Sequence, residues 1–361
     1  MIWMTQAVNI LKIMNKPSFF NISWAVTEDV YRADPALSYS ILSKYERSGF
    51  NDLTTLFDRI ETPSLTFGSA VDSIITGGRQ EFDERFIVAN FPALAPTFLQ
   101  IVKQLFANYG EKYDKLDDIP DKDIIDLTEI VKFYPNWRAQ TRAKAIKEQG
   151  GQFYRLLYLA KDRTVLDLQM YQDVLNTVDA LKTSEATKWY FQEDNPFENI
   201  ERLYQLKFKA NLNGIMYRCM ADLIIIDHDA KTVQPVDLKT SSKREWDFYK
   251  SFIDWRYDIQ ARLYWRIIRA CMDADEYFKD FKLLPYQFIV ANRTTLVPLV
   301  WGFPLTDSVG TLRIGKQAQI ELRDPCMIGE ELSFYLDNRP KVPVGIKTAG
   351  VNDLAIWLNK L

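Results

Sequence analysis

Two stretches of the sequence carry residues that could do chemistry together. The first is MYRCMADLIIID over 216–227, and the second is VQPVDLKTS over 233–241. Both read as β-strands, in which successive side chains point to opposite faces. Asp222 then stands among apolar neighbours near the middle of its strand. Strand interiors are depleted in Asp, and burying an unpaired carboxylate is costly, so something must compensate for it. On the second strand Asp237 and Lys239 share one face, while Val236 and Leu238 share the other. A hairpin of the two strands would bring Asp222, Asp237 and Lys239 to one end of a sheet. Two carboxylates converging there repel, and a divalent cation bound by oxygen ligands resolves the repulsion. A lysine beside them can orient or deprotonate a water, or stabilise charge developing on a phosphate. Taken alone, the Asp-x-Lys triplet reads more readily as a structural ion pair on a partly exposed hairpin.

Composition limits the alternatives. The 361 residues include one histidine, His228, and three cysteines, Cys219, Cys271 and Cys326. A CxxC zinc site, a four-cysteine iron–sulfur cluster and a disulfide framework therefore lack ligands. Any Ser-His-Asp or Cys-His mechanism would have to use His228, which falls in the turn Asp227–Asp229 between the two strands and is expected to do no chemistry. What remains for an enzyme is carboxylates, lysine and a hard metal. No Gly-rich phosphate loop supports an unrelated α/β enzyme acting on a phosphorylated small substrate.

The elements that must position these residues follow from patterning. From about Pro35 the chain reads as a helix, with Ser38 as its cap and Gly49 as its stop. A second helix is expected over Thr66–Thr76, ended by Gly77-Gly78. Residues 97–190 read as mostly helical. From Glu201 three strands follow, with turns at Asn213-Gly214 and Asp227–Lys231. Helices are expected near 243–254 and 257–273, then a strand at YQFIVANRT, then a final helix near 311–337 interrupted at Pro325. This order describes an α/β layered core with helical additions on its N-terminal side. Two further oddities sit on helices. Gln260 and Tyr264 are i and i+4, on one face of YDIQARLYWRIIRA. Asp72 stands four residues after Gly68 in an otherwise apolar helix.

An Asp on one strand, Asp-x-Lys on the next and Gln-x-x-x-Tyr on a helix resemble the PD-(D/E)xK nuclease superfamily. The closer resemblance is to its RecB/Cas4/RecE-like exonuclease branch. It rests on Ala221-Asp222, Asp237-Leu238-Lys239 and Gln260…Tyr264. ADPALSYSILSKYERSG and LTFGSAVDSIITGG also resemble the opening of RecE-like domains. The likeness covers roughly 30–300 and is weakest through 80–165. It implies an α/β, restriction-endonuclease-like core, a central mixed sheet flanked by helices, with a helical N-terminal elaboration. Residues 1–27 would be a tail and 28–340 a single domain. That domain would be mainly helical over 28–195 and hold the catalytic sheet and helices over 196–310, with 341–361 a C-terminal segment.

The implied activity is Mg²⁺-dependent (Mn²⁺ possible as substitute) DNA hydrolysis by an exonuclease of phage recombination or DNA processing. Asp222, Asp237 and Lys239 would be catalytic. The metal would be held by Asp222, Asp237, the Leu238 carbonyl and Asp72, the last standing where the branch usually has a histidine. Glu201 or Gln205 on the preceding strand could add a ligand. Gln260 and Tyr264 would hold the DNA, helped by Lys243, Arg244 and Arg256. No iron–sulfur cluster is expected. Implied partners are DNA, as linear duplex or single strand, a single-strand annealing protein and further copies of the chain. The alternative is a non-catalytic DNA-binding or assembly protein that keeps the nuclease fold.

Charge agrees locally. The whole chain is −3. From Lys239 to Arg269 there are eight Lys and Arg against four Asp and Glu, 8 − 4 = +4, whereas 111–130 holds eight acids against three lysines, −5. Arg256, Arg262, Arg266 and Arg269 interleave with Trp246, Trp255, Tyr257 and Trp265, a mixture suited to phosphate binding and base stacking. Segments of about 18 apolar residues are missing, so no membrane span is expected, and neither is a signal peptide. With unpaired cysteines, the cytoplasm is the expected compartment, that of a bacterial host if the chain is phage-encoded.

Overall fold

Strand-forming sequence and turn chemistry agree most closely over 200–241. Leu212 pairs with Ile215 across a two-residue turn, Asn213-Gly214, whose φ values are 54° and 87°. Both central residues of such a hairpin turn need positive φ, which Asn tolerates and Gly adopts freely. The next turn is closed by Asp227, whose Oδ1 accepts from the backbone N–H groups of Asp229 and Ala230 at 3.0 and 2.8 Å.

The computed structural model describes residues 17–49, 53, 55–58, 62–91, 94–195, 198–305, 310–314 and 318–337. The expected segment 341–361 and most of the expected tail lie outside these. In chain order the first elements are α1 (Glu28–Ala33), α2 (Tyr39–Ser48), α3 (Pro63–Arg85), β1 (Phe86–Val88), α4 (Pro96–Tyr109), α5 (Asp121–Ile130), α6 (Ala139–Ala160), β2 (Thr164–Leu166) and α7 (Leu168–Thr183). There follow β3 (Ile200–Leu212), β4 (Ile215–Asp227), β5 (Thr232–Ser241), α8 (Phe248–Asp254), α9 (Tyr257–Asp273), β6 (Lys282–Leu283), β7 (Tyr286–Asn292), β8 (Leu299–Phe303), β9 (Gly310–Ile314), β10 (Ala318–Leu322) and α10 (Pro325–Asp337). Two compact units result, one from 1–62 with 180–361, the other from 63–179. None of the described helices is long and apolar enough to cross a membrane.

The first unit is mixed α/β, a central mixed sheet flanked by helices. Its strand order is β3-β4-β5-β7-β8, with β6 beside β5. β3, β4 and β5 run antiparallel, β5 and β7 are parallel, and β8 returns antiparallel to β7. A parallel pair needs a crossover, and α8 and α9 supply it. Buried Ile259, Leu263 and Ile267 recur every four residues along α9 and share one core cluster with Phe208, Ile224 and Phe288 of the sheet. The helical part expected over 28–195 is divided between the units. Leu37 bridges to Tyr217 of β4, and Ile41, Leu42 and Tyr45 of α2 are buried in the same cluster, so the early helices belong with the sheet.

The second unit, 63–179, is helical apart from the three-residue parallel pair β1–β2. Its core joins α4 and α6 through Phe98, Ile101, Val102, Ile146, Phe153 and Tyr154. The helix expected to end at Gly77-Gly78 continues to Arg85, with a break at Gly78, where φ is 66°. Glycine adopts that conformation without steric cost and the helix resumes.

The final helix expected near 311–337 needs correction. Residues 310–322 form the antiparallel hairpin β9–β10, and the helix begins only at Pro325. Proline suits a first helical turn because its missing N–H has no intrahelical partner there. Before it, inward Leu312, Ile320 and Leu322 alternate with exposed Thr311, Arg313, Gln319 and Glu321, the period of a strand.

His228 is buried at the sheet end, with Nδ1 3.2 Å from the Tyr277 hydroxyl and Nε2 3.6 Å from Glu201 Oε2. Glu201 also accepts from the Ser18 hydroxyl and, at 3.1 Å, from the Phe19 N–H. Burial pushes the Glu201 carboxyl up, but His228, Ser18 and Phe19 outweigh it and hold it below its ordinary value of 4.5. A carboxyl lowered on folding stabilises above its unfolded pKa, and that contribution disappears as pH falls through the lower folded value. Thermal melts of the wild type and Glu201→Gln should therefore differ near neutrality and converge as pH drops below 4.5. A gap that persists unchanged in acid would refute this account of the anchor.

Candidate active site

The site begins where two strands part. β3 and β4 stay paired from Ile200↔Asp227 to Leu212↔Ile215. β4 and β5 pair only from Asp227↔Thr232 to Leu223↔Val236. Beyond Leu223, β4 leaves β5, and β5 continues beside β7 alone, through Asp237↔Phe288 and Lys239↔Val290. Asp222 is the first residue past the fork. Its Oδ2 accepts the backbone N–H of Leu238 at 2.8 Å. A side-chain carboxylate thus takes the N–H that the parting strand no longer meets, satisfying a group that would be costly to bury alone.

The fork has a second mark on β3. Gln205 falls between the pairs Tyr204↔Leu223 and Leu206↔Ala221, opposite Asp222, and its φ is 53°. Positive φ is unusual for a residue with a Cβ. On either side of it the strands exchange faces. Leu206, Phe208, Cys219 and Ala221 enter the core from one register, Ile224 and Ile226 from the other. Of the two candidates left open on β3, Gln205 lies level with Asp222. Glu201 pairs with Ile226, four residues away, and is bound to Ser18 and Phe19.

Asp237 is 1% exposed. Gln260 Nε2 donates to its Oδ1, Lys239 Nζ lies 2.6 Å from its Oδ2, and the Asp222 carboxyl is within hydrogen-bonding reach. Burial raises the Asp237 carboxyl above its ordinary 3.8, with Lys239, Gln260 and Asp222 pulling against it. Burial works against the Lys239 ammonium too, yet Asp237, Tyr257 and Asp222 more than offset this and raise its pKa. The ammonium also lies 4.7 Å from the centre of the Tyr257 ring. That ring is stacked at 5.7 Å on Phe288. Cation and ring attract, and the half-buried ring, packed on Phe288, gives the lysine a fixed wall.

Tyr264 is buried one helical turn beyond Gln260, close enough for both carboxyls to act on its hydroxyl. Its ring meets Tyr39 of α2 at 6.5 Å and Tyr286 of β7 at 6.2 Å. Asp222, Asp237, Leu238, Lys239, Gln260 and Tyr264 are therefore brought together within one unit. Tyr39, Tyr257 and Tyr286 complete the wall; the sequence marks only Tyr257 of these, and as a stacking ring rather than a neighbour of the carboxyls. Tyr257 could have been placed there, since it lies three residues before Gln260 and so shares its helix face.

The expected DNA-binding residues Lys243, Arg244 and Arg256 are placed elsewhere, and Asp72 belongs to its own unit. Asp72 lies on α3, in the helical unit, and its backbone carbonyl accepts the Thr76 hydroxyl at 3.0 Å. Lys243 and Arg244 lie on the turn after β5. Lys243 is partly exposed and 3.1 Å from Asp254, and Arg244 is exposed. Arg256 is enclosed. Its guanidinium contacts Glu46 at 2.9 Å, both Asp258 oxygens at 3.0 and 3.2 Å, and the Glu321 carbonyl at 3.0 Å. The arginines of α9 behave alike. Arg262 is buried and donates to the Arg323 carbonyl at 2.6 Å, Arg266 pairs with Asp324 at 2.7 Å, and Arg269 pairs with Asp273. The local +4 is thus largely neutralised inside the fold, and α9 presents no basic face.

Two buried oxygens of the site, Asp237 Oδ2 and Gln260 Oε1, accept no well-directed hydrogen bond among the described residues. The Lys239 contact to Oδ2 is close but poorly aligned. Two carboxyls, a backbone carbonyl and undersatisfied oxygens are a hard donor set. Mg²⁺ typically takes one or two carboxylates and fills its shell with water and phosphate, so these residues fit it. Among the described residues no group of three or more His, Cys, Asp or Glu forms a candidate metal site.

No family model matches the chain. No curated protein matches it either. Among solved structures it is similar to "Putative exonuclease" from Eubacterium rectale, at 14% identity and a TM-score of 0.41, with 93% of this chain and 99% of that chain covered.

Proposed function

We propose that this chain is a metal-dependent deoxyribonuclease with a restriction-endonuclease-like core, of the RecB/Cas4/RecE-like kind, acting as an exonuclease in phage recombination or DNA processing. The observation that carries the reading is the fork. It places Asp222, Asp237 and Lys239, from two strands that have just separated, at one point around the buried Asp237–Gln260 pair. A purely structural Asp–Lys pair would need neither the departure of β4 nor a second carboxyl.

Asp222, Asp237 and the Leu238 carbonyl would hold Mg²⁺, which supplies Lewis-acid polarisation of the phosphodiester and a more acidic water. Lys239 contributes a fixed positive charge at the reacting phosphate, aimed by Asp237 and by the face of Tyr257. Gln260 orients Asp237 through its amide. Tyr264 closes the site toward the core and restricts water. Lys243 and Arg244, on the turn leaving β5, can reach backbone phosphates. Arg256 is not assigned to DNA, because two carboxylates already neutralise it.

One observation favours a second reading, a DNA-binding protein that keeps the fold without turnover: Asp72 stands where the resembled branch usually has a histidine. End-labelled linear duplex and closed circular duplex, each with Mg²⁺ and with EDTA, separate the two. Loss of linear DNA from its ends, only with Mg²⁺ and with circles spared, is expected. Degradation in EDTA would exclude the assigned site, and intact DNA under every condition would favour the second reading.

A further inference from the structure

Two exposed indoles border α8, the helix that leads from β5 to α9, and the mechanism uses neither. Trp246 is 66% exposed, and Trp255 is 47% exposed. An arginine lies over each ring, Arg244 at 5.3 Å from Trp246 and Arg47 at 4.8 Å from Trp255. Both arginines are themselves exposed. The indoles flank α8, whose rise of 1.5 Å per residue sets their backbone positions roughly 13 Å apart along the chain, a span of a few stacked bases.

Neither indole hangs on a loose segment. The turn carrying Trp246 is tied to the end of β7, where Asn292 Nδ2 donates to the Lys243 carbonyl at 2.7 Å and the Thr295 hydroxyl donates to Glu245. Lys243 reaches across to Asp254, beside Trp255, at 3.1 Å. The Trp255 carbonyl accepts the Tyr39 hydroxyl at 2.6 Å. Tyr39 in turn touches the rings of Tyr257 and Tyr264. Trp255 is therefore joined through one residue to the wall of the carboxylate site.

A duplex buries the faces of its bases against each other, so indoles held this way have nothing to stack on along it. An unpaired strand offers base faces and phosphates together, and aromatic rings beside cations meet both. We propose that the strand delivered to the carboxylate site is single-stranded DNA, stacked on Trp246 and Trp255, with Arg244, Arg47 and Lys243 against its phosphates. The inference rests on the nuclease reading for its purpose, but it concerns binding and can fail separately.

The test is fluorescence anisotropy of labelled oligothymidylate and of a blunt hairpin duplex, titrated with the full chain in EDTA so that nothing is hydrolysed. The single strand should bind about tenfold more tightly than the duplex, and Trp246→Ala and Trp255→Ala should each weaken it about tenfold, the effect of one lost base stack. Trp246→Phe and Trp255→Phe, which keep a ring, should recover most of the affinity. Trp189→Ala is the control. Trp189 is exposed too, but it lines a cavity of 190 Å³ with Gln234 and Gln287, and Gln234 lies on the β5 face opposite Asp237. Its removal should change nothing. Circular dichroism and melting curves confirm that each variant is folded.

Duplex bound as tightly as single strand would overturn the proposal. So would unchanged binding by folded Trp246→Ala and Trp255→Ala, or tighter binding of an oligouridylate. A chain that binds single strands through both indoles yet degrades no DNA with Mg²⁺ sinks the nuclease reading and leaves this one standing.

Discussion

Asp237→Asn and Lys239→Ala are each expected to reduce Mg²⁺-dependent release of labelled nucleotide by roughly three orders of magnitude. The reasoning starts from burial. The two side chains meet at 2.6 Å, with Asp237 almost wholly enclosed. Removing one partner of such a pair leaves a buried charge uncompensated, which costs about 3–5 kcal/mol. A single variant could therefore lose activity simply by unfolding. The double variant Asp237→Asn/Lys239→Met removes both charges and keeps the volume. It should regain much of the stability lost by either single variant while remaining inactive. Melting curves read the first effect and end-label release the second. Any of the three variants retaining a tenth of wild-type activity would remove these residues from the chemistry.

A second loss of stability is expected at Gly329. A Cβ there would lie 2.0 Å from the Tyr217 Oη and 2.8 Å from its Cζ. Tyr217 is fully buried on β4, and its hydroxyl donates to the Cys326 carbonyl at 3.3 Å. Gly329 is thus the point at which α10 rests on the sheet, and the missing side chain sets how closely it can approach. Alanine would ordinarily favour a helix by up to about 1 kcal/mol, but overpacking typically costs about 1–3 kcal/mol and can exceed that where the neighbour is a rigid ring. Gly329→Ala should therefore lower the melting temperature by several degrees, at about 2–4 °C per kcal/mol. Tyr217→Phe removes the nearest atom but not the ring, so it should relieve part of the loss in the double variant while costing about 1 kcal/mol alone. A melting temperature for Gly329→Ala equal to wild type would mean that α10 moves freely off β4.

How much of this was legible in the sequence depends on the range of the forces involved. The hairpin β3–β4 and its Asn213-Gly214 turn are local, written in strand alternation and in the need for positive φ. The face shared by Asp237 and Lys239, and the i, i+4 relation of Gln260 and Tyr264, follow from strand and helix periods alone. The position of Asp222 does not. Its carboxylate reaches the Leu238 N–H because β4 and β5 separate, an event settled by packing across the sheet. Arg256 and the arginines of α9 resemble a phosphate-binding face in the sequence, but besides the local Asp258 and Asp273 their acceptors Glu46, Asp324 and the carbonyls of Glu321 and Arg323 lie more than fifty residues away. Local charge cannot show a neutralisation made by distant segments. The hairpin at 310–322 was missed because a short strand pair and an amphipathic helix can share apolar positions, and Pro325 marks a helix start as readily as an interruption.

The hydrogen bond from Leu238 to Asp222 carries a consequence for how such a chain can change over time. Asp222 serves two masters, a backbone amide that must have an acceptor and whatever charge the site binds. Drift that silences the chemistry would still be penalised at 222, whereas Lys239 has no comparable structural duty once its carboxylate partner goes. An inactive descendant should therefore keep its aspartate at the fork and lose Lys239 together with Asp237. The lysine, rather than the aspartate, is the residue whose presence separates a working copy from a retired one.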